Sequence, residues 1–182
     1  MKKRSVFLIV PLLLLLICIP NYAQEKGSPS PSWSVYFSPT GGCTQAITSE
    51  LNKAKSSILV QANSFTSAPI AKGLVAAHER GVKIEIILDK SNLTAQYTSG
   101  PFVAKAGIPT KIDSVHDIAH NKVMRIDEEI VNTGSFNFTK SAEDKNAENL
   151  LVIRDKATAE KYIKNWQDHE GHSEAYSGKS QQ

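Results

Sequence analysis

Residues 120–127 read "HNKVMRID", an apolar run that carries a histidine and a lysine two positions apart. As a β-strand, this stretch puts His120, Lys122, Met124 and Ile126 on one face. Asn121, Val123, Arg125 and Asp127 share the other. His120 and Lys122 then converge on one small anionic group. Asp127 is expected to fix a turn or to pair structurally, away from that group.

The next polar cluster repeats the spacing. In "GSFN" (134–137) an extended chain points Ser135 and Asn137 the same way. Lys122 is a three-proton cation, Ser135 offers a hydroxyl and Asn137 an amide NH2. Together they suit the non-bridging oxygens of a phosphate and the charge these gain in a transition state. Glu148 opens a further strand, where a carboxylate on the far ring nitrogen of His120 would fix its tautomer and raise its basicity.

Around this centre the pattern alternates. Strands are expected at 33–38, 57–65, 82–89, 108–112, 120–127, 129–135 and 148–155. A tight turn at 127–129 joins the fifth strand to the sixth. Helices are expected at 44–56, 67–81, near 101–106, and at 156–170. Ser67 stands where a cap belongs, Pro69 lies in that helix's first turn, and Gly81 closes it. The last helix would bury Ala159, Tyr162, Ile163 and Trp166. This order implies an α/β fold, a layered α-β-α domain on a central mixed, mostly parallel sheet. No internal repeat is visible, so the chain holds one copy of its site.

The 182 residues fit one domain with a single core. Met1–Arg4 is basic, residues 5–19 are apolar, and "PNYAQ" follows, which is the layout of a secretory signal over 1–23. If the signal is not cleaved, residues 5–19 would be a membrane tether. Asn21 departs from the small-residue rule for cleavage, and Ile17 is too large for a lipidated Cys18. Export to the periplasm or the medium is the expectation. Residues 24–32 read as a flexible leader, 33–170 as the domain, and 171–182 as a disordered tail. The chain has 21 Lys+Arg and 18 Asp+Glu; losing Lys2, Lys3 and Arg4 leaves 18 against 18. Polyanion binding must therefore come from a local cluster. Cys43 alone forms no internal disulfide and reads as a small semi-buried residue.

The pattern H-x-K-x4-D, here His120, Lys122 and Asp127, followed by "GSFN", looks like the signature of the phospholipase D superfamily. The longer stretches "VNTGSFNFTKSAEDKNAENLLVI" (131–153) and "SFTSAPIAKGLVAAHERGVKIEIILD" (64–89), with "NWQDHE", resemble its short bacterial non-specific endonucleases. The resemblance covers roughly 33–170 and implies a phospholipase D-like fold. It implies His120 as nucleophile, Lys122, Ser135 and Asn137 as phosphate binders, and Glu148 as the orienting carboxylate. The substrate would be nucleic acid, DNA or also RNA, cleaved through a phosphohistidine with no metal and no cofactor. It also implies a symmetric homodimer, because the family's chemistry uses two such motifs. One histidine cannot attack phosphorus and protonate the leaving oxygen in the same step; a two-fold axis supplies its twin.

Other readings remain open at this point. "HDIAH" places His116 and His120 four apart, like two metal ligands on a helix. The same site would cleave a phospholipid headgroup, although no apolar, aromatic-rich loop marks a lipid dock. A non-enzymatic exported anion-binding module is the third. His116, Lys140 and Lys145 are candidate nucleic-acid contacts, with Lys90 and Lys105 flanking the loop after "IILD". Phe136 and Phe138 read as core. His78, His169 and His172 read as helix or tail surface.

Overall fold

The computed structural model describes residues 30–177. The expected signal at 1–23, the leader up to residue 29, and residues 178–182 lie outside the described residues. The chain runs β1 (Ser32–Ser38), α1 (Cys43–Lys53), β2 (Ser57–Ala62), α2 (Ala68–Glu79), β3 (Lys83–Asp89), a 3-10 turn (Lys90–Leu93) and α3 (Gly100–Lys105). It continues through β4 (Thr110–Asp113), β5 (Lys122–Ile126), β6 (Ile130–Gly134), α4 (Lys140–Asp144), β7 (Glu148–Arg154), α5 (Lys156–Glu170) and β8 (Glu174–Ala175).

The strands form one sheet in the order β1-β7-β6-β5-β2-β3-β4-β8. It is mixed, as expected, but the balance of directions differs. Among the described strands only β2–β3 and β3–β4 run parallel, and the other pairs are antiparallel. The periodicity of a strand records which faces are buried and carries nothing about the direction of its neighbour.

Strand alternation sorts the core into two layers. Met124, Ile126, Ile58, Val60, Leu150 and Val152 face Ile47, Leu51, Ile70 and Leu74 of α1 and α2. On the opposite face Val123 and Val131 pack with Ala159 and half-buried Tyr162 of α5. Trp166 of α5 is buried and its indole donates to the Val60 carbonyl at 3.3 Å. Phe136 and Phe138 are buried, at 1% and 0% exposure, and belong to the first layer. Ser67 does stand at the start of α2, but its hydroxyl makes no capping bond. Its N–H donates to the Phe138 carbonyl at 2.9 Å, so tertiary pairing holds that end.

The expected tail is corrected by β8, which pairs Glu174 and Ala175 with Ile112 and Lys111 of β4. Tyr176 packs on the first core layer. A two-residue strand offers too short a pattern for period-2 reading. Among the described residues no helix is long and apolar enough to cross a membrane. Cys43 is fully buried at the start of α1. Burial, with the charges of Glu143 and Glu148, pushes its thiol up to about 11, against one lowering backbone hydrogen bond.

The turn after β5 carries Asp127 and Glu128 at positive φ, 50° and 60°. The Asp127 carboxylate accepts the N–H groups of Lys55 (2.8 Å), Ser56 (2.7 Å) and Ser57 (3.2 Å), and the Ser56 hydroxyl (2.9 Å). Burial would raise its pKa, but these donors outweigh burial and hold it below the ordinary carboxylate value. A depressed carboxylate contributes stability that is present above the unfolded pKa of about 3.9 and lost as pH falls through the lower folded value. Asp127→Ala is expected to cost about 1–2 kcal/mol at pH 7, allowing for partial exposure. Urea unfolding should show this gap narrowing at pH 3; an unchanged gap would remove the charge from the explanation.

Candidate active site

Lys122 opens β5 opposite Ala62, at the carboxyl end of β2. It is 6% exposed, and its Nζ turns back to donate to the His120 carbonyl at 2.9 Å. Burial lowers its pKa, and the nearby charges of Glu148 and Asp89 partly restore it. The site therefore holds a desolvated cation, a group that gains most by meeting an anion. His120 sits just before the strand, exposed in an open cleft with Asn63, Asp89, Lys90, Leu93 and Ile118. Among the described residues its ring makes no hydrogen bond.

β6 ends at Gly134, whose φ is +148°. A Cβ there would lie 2.3 Å from the Asn149 carbonyl oxygen of β7. That close approach seats the next residues. The Asn149 N–H donates to Ser135 Oγ at 3.1 Å, and the Phe136 N–H donates to the Asn149 carbonyl at 3.1 Å. Ser135 is exposed and Asn137 half-buried, while Phe136 and Phe138 alternate inward. Asn137 Oδ1 is buried without a hydrogen-bond partner. Thr66 and Ser67 both donate to the Phe138 carbonyl at 2.9 Å, which ties this segment to the one that follows β2. Glu148 opens β7 opposite Ser38, and its Oε1 accepts from Asn146 Nδ2 at 3.1 Å.

Lys122 and Glu148 thus meet electrostatically at one end of β5 to β7, with Ser135 and Asn137 on the segment that leaves β6 there. Within one chain no hydrogen bond joins Glu148 to His120. Asp127 follows the far end of β5, roughly 17 Å from Lys122 at about 3.4 Å per residue. Lys140 pairs with Asp144 within α4, and Lys145 is exposed. His116 turns its Nδ1 to the Asp113 carboxylate at 3.0 Å rather than toward His120.

Two features escaped the sequence reading. Asp89, 3% exposed, accepts the Ser91 N–H at 2.9 Å and the Ala119 N–H at 2.8 Å, and so positions the loop ahead of His120. A carboxylate closing the buried run "IILD" was the available signal. The second is a cluster of Asp113 with His116, His169 and His172. His169 and His172 were expected on the surface, yet their side chains are 12% and 31% exposed and face a carboxylate at 0%. Their separation in sequence gave no hint of this.

A buried lysine, an open histidine and a hydroxyl–amide pair gather at one sheet end, and the chain belongs to the phospholipase D superfamily, matching the family "Cardiolipin synthase, PLD-like domain" over residues 47–169. It is 45% identical to a phospholipase D of Rickettsia conorii over 133 residues, 73% of this chain and 66% of that protein. It is 44% identical to a phospholipase D of Rickettsia prowazekii over 146 residues, 80% of this chain and 71% of that protein. The chain thus spans about two thirds of the length of these relatives. The crystal structure of Nuc from Salmonella typhimurium, a phospholipase D family member, aligns with a TM-score of 0.77 and 40% identity, over 81% of this chain and 99% of that one.

Gly134→Ala tests the seating of Ser135. The added methyl is expected to cost about 2–4 kcal/mol in urea unfolding, through strain at a positive φ and the clash with Asn149. Wild-type stability in that variant would show that β7 can move aside.

Proposed function

We propose that the chain is a nucleic-acid phosphodiesterase, an endonuclease, that works through a phosphohistidine on His120 in a symmetric homodimer. The observation that carries this is the buried ammonium of Lys122, held on the His120 carbonyl, with the ring of His120 exposed in the adjoining cleft. A desolvated cation needs an anion, and the open cleft at His120 would bring one within reach. The resemblance of 131–153 to short bacterial endonucleases supports nucleic acid as the source of that phosphodiester. The secretory-signal pattern expected over 1–23 fits the same reading, since an exported enzyme would meet foreign or environmental nucleic acid.

In the proposed cycle, a neutral ring nitrogen of His120 attacks phosphorus and the P–O bond to the leaving group breaks. The protonated His120 of the partner subunit gives its proton to the departing oxygen. That imidazole then takes a proton from water, whose oxygen attacks phosphorus as the P–N bond breaks. Lys122, Ser135 and Asn137 hold the non-bridging oxygens. Glu148, unpaired with His120 inside one chain, orients the imidazole across the axis. Exposed Phe37, beside Ser38 and hence Glu148, with Leu93 and Ile118 at the cleft, offers apolar surface for the second copy to cover.

A phospholipid substrate is the second reading. Leu93 and Ile118 are 39% and 62% exposed, an apolar rim on the cleft of His120 that sequence inspection did not single out. The Rickettsia relatives are named phospholipase D. Parallel assays on DNA and on phospholipid vesicles separate the two, and faster turnover of lipid would replace the nuclease reading.

His120→Asn should bind DNA and lose at least about 10³-fold in kcat. Undiminished cleavage would remove His120 from its role. Cleavage by wild type should persist in EDTA below the unfolding transition, and a sedimentation experiment should find a dimer.

A further inference from the structure

We propose that Asp113, His116, His169 and His172 form a zinc-type divalent metal site that clasps the end of the chain to the loop carrying His120. The site lies at the carboxyl end of β4, three strands from β5, roughly 14 Å away at about 4.8 Å per strand. It draws on three separate elements. Asp113 ends β4, His116 lies in the loop to β5, and His169 and His172 bracket the end of α5.

The geometry is that of a ligand shell. One ligand atom from each of the four residues lies within 4.8 Å of all the others. Asp113 Oδ2 is 2.6 Å from His169 Nδ1, 3.0 Å from His116 Nδ1 and 3.3 Å from His172 Nε2. A tetrahedral zinc site with bonds near 2.1 Å spaces its ligand atoms by about 3.4 Å, so small side-chain rotations suffice. The three rings meet pairwise, with centroids 4.8, 5.2 and 5.4 Å apart.

Hydrogen bonding alone leaves one ring of this arrangement unserved. Asp113 Oδ2 faces all three ring nitrogens, and only His116 Nδ1 also reaches Oδ1, at 3.2 Å. His172 Nε2 is buried and, although 3.3 Å from Oδ2, lies outside hydrogen-bonding geometry. The Val115 N–H donates to Asp113 Oδ1 at 3.1 Å, which turns Oδ2 toward the histidines as an outer-shell bond should. The C-terminal end of a fifteen-residue helix adds a negative dipole end beside the cation. Three imidazoles and one carboxylate suit zinc, cobalt, nickel or copper, and disfavour magnesium and calcium.

Four protein ligands close the shell, so this metal stabilises the fold and takes no part in phosphoryl transfer. It joins the last helix and β8 to the loop 114–121. Lys90 Nζ donates to the His116 carbonyl at 2.9 Å, which links that loop to the turn after β3.

The test uses the full chain without a histidine tag, stripped of metal and titrated with Zn²⁺ by calorimetry and with Co²⁺ by visible absorption. One equivalent per chain and a four-coordinate cobalt spectrum are expected. Zn²⁺ at a hundred-fold excess over Kd should raise Tm by about 5–10 °C. His116→Gln and His172→Gln, both at partly exposed positions, should each weaken Zn²⁺ binding by at least about 10²-fold. His120→Asn should keep the full stoichiometry. Well under one equivalent, or equal affinity in wild type and His172→Gln, would leave a hydrogen-bonded histidine cluster only and overturn the proposal. Binding is the readout, so failure here leaves the catalytic reading of His120 untouched.

Discussion

The register of β5 against β2 is the constraint on which the rest depends. β5 is five residues long and buried throughout, so a slip of one residue would exchange its two faces. Met124 and Ile126 would leave the α1–α2 core, and Lys122 would no longer meet the charge of Glu148. Asp127 prevents that slip. By gathering the backbone donors at the start of β2, Lys55 to Ser57, it locks the far end of the strand pair and thereby sets where Lys122 emerges. The aspartate of the H-x-K-x4-D pattern is thus a register pin, acting on the site through the length of a strand.

The polar chemistry collects where β2, β3 and β4 deliver their carboxyl ends, as open α/β sheets favour. Asp89, Asp113 and Lys122 are all nearly buried there. Such groups are costly unless paired, and each has a compensation. Asp89 takes two backbone donors. Asp113 would be pushed up by burial, but His169, His116, His172 and the Val115 N–H outweigh this and hold it well below the usual carboxylate range. Lys122 has a carbonyl and two carboxylate fields, the least complete set of the three. An incomplete shell around a cation is what a substrate phosphate can finish.

Much of this was legible because it is local. His120, Lys122 and Asp127 fall within one octapeptide, and strand period alone separates the first two from the third. Ser135 and Asn137 obey the same period, with Phe136 and Phe138 filling the core between them. The illegible parts are long-range. Asp113 and His169 are 56 positions apart and meet only because α5 packs back across the sheet. Strand direction, the capping of α2 by Phe138 rather than by its own serine, and the two-residue β8 are likewise set by tertiary pairing. Asp89 stood between these extremes, visible as a charge at the end of an apolar run but without a stated task until its donors were seen.

The sealed thiol of Cys43 bears on how the folded chain meets an oxidising environment. Cys43 is the one cysteine among the described residues, and with its sulfur buried and its thiolate form disfavoured until well above neutral pH it is a poor partner for disulfide exchange. Intermolecular cross-links through Cys43 would form only from molecules that have opened α1. Covalent dimers joined through Cys43 would then mark damaged material, distinct from any association between intact copies.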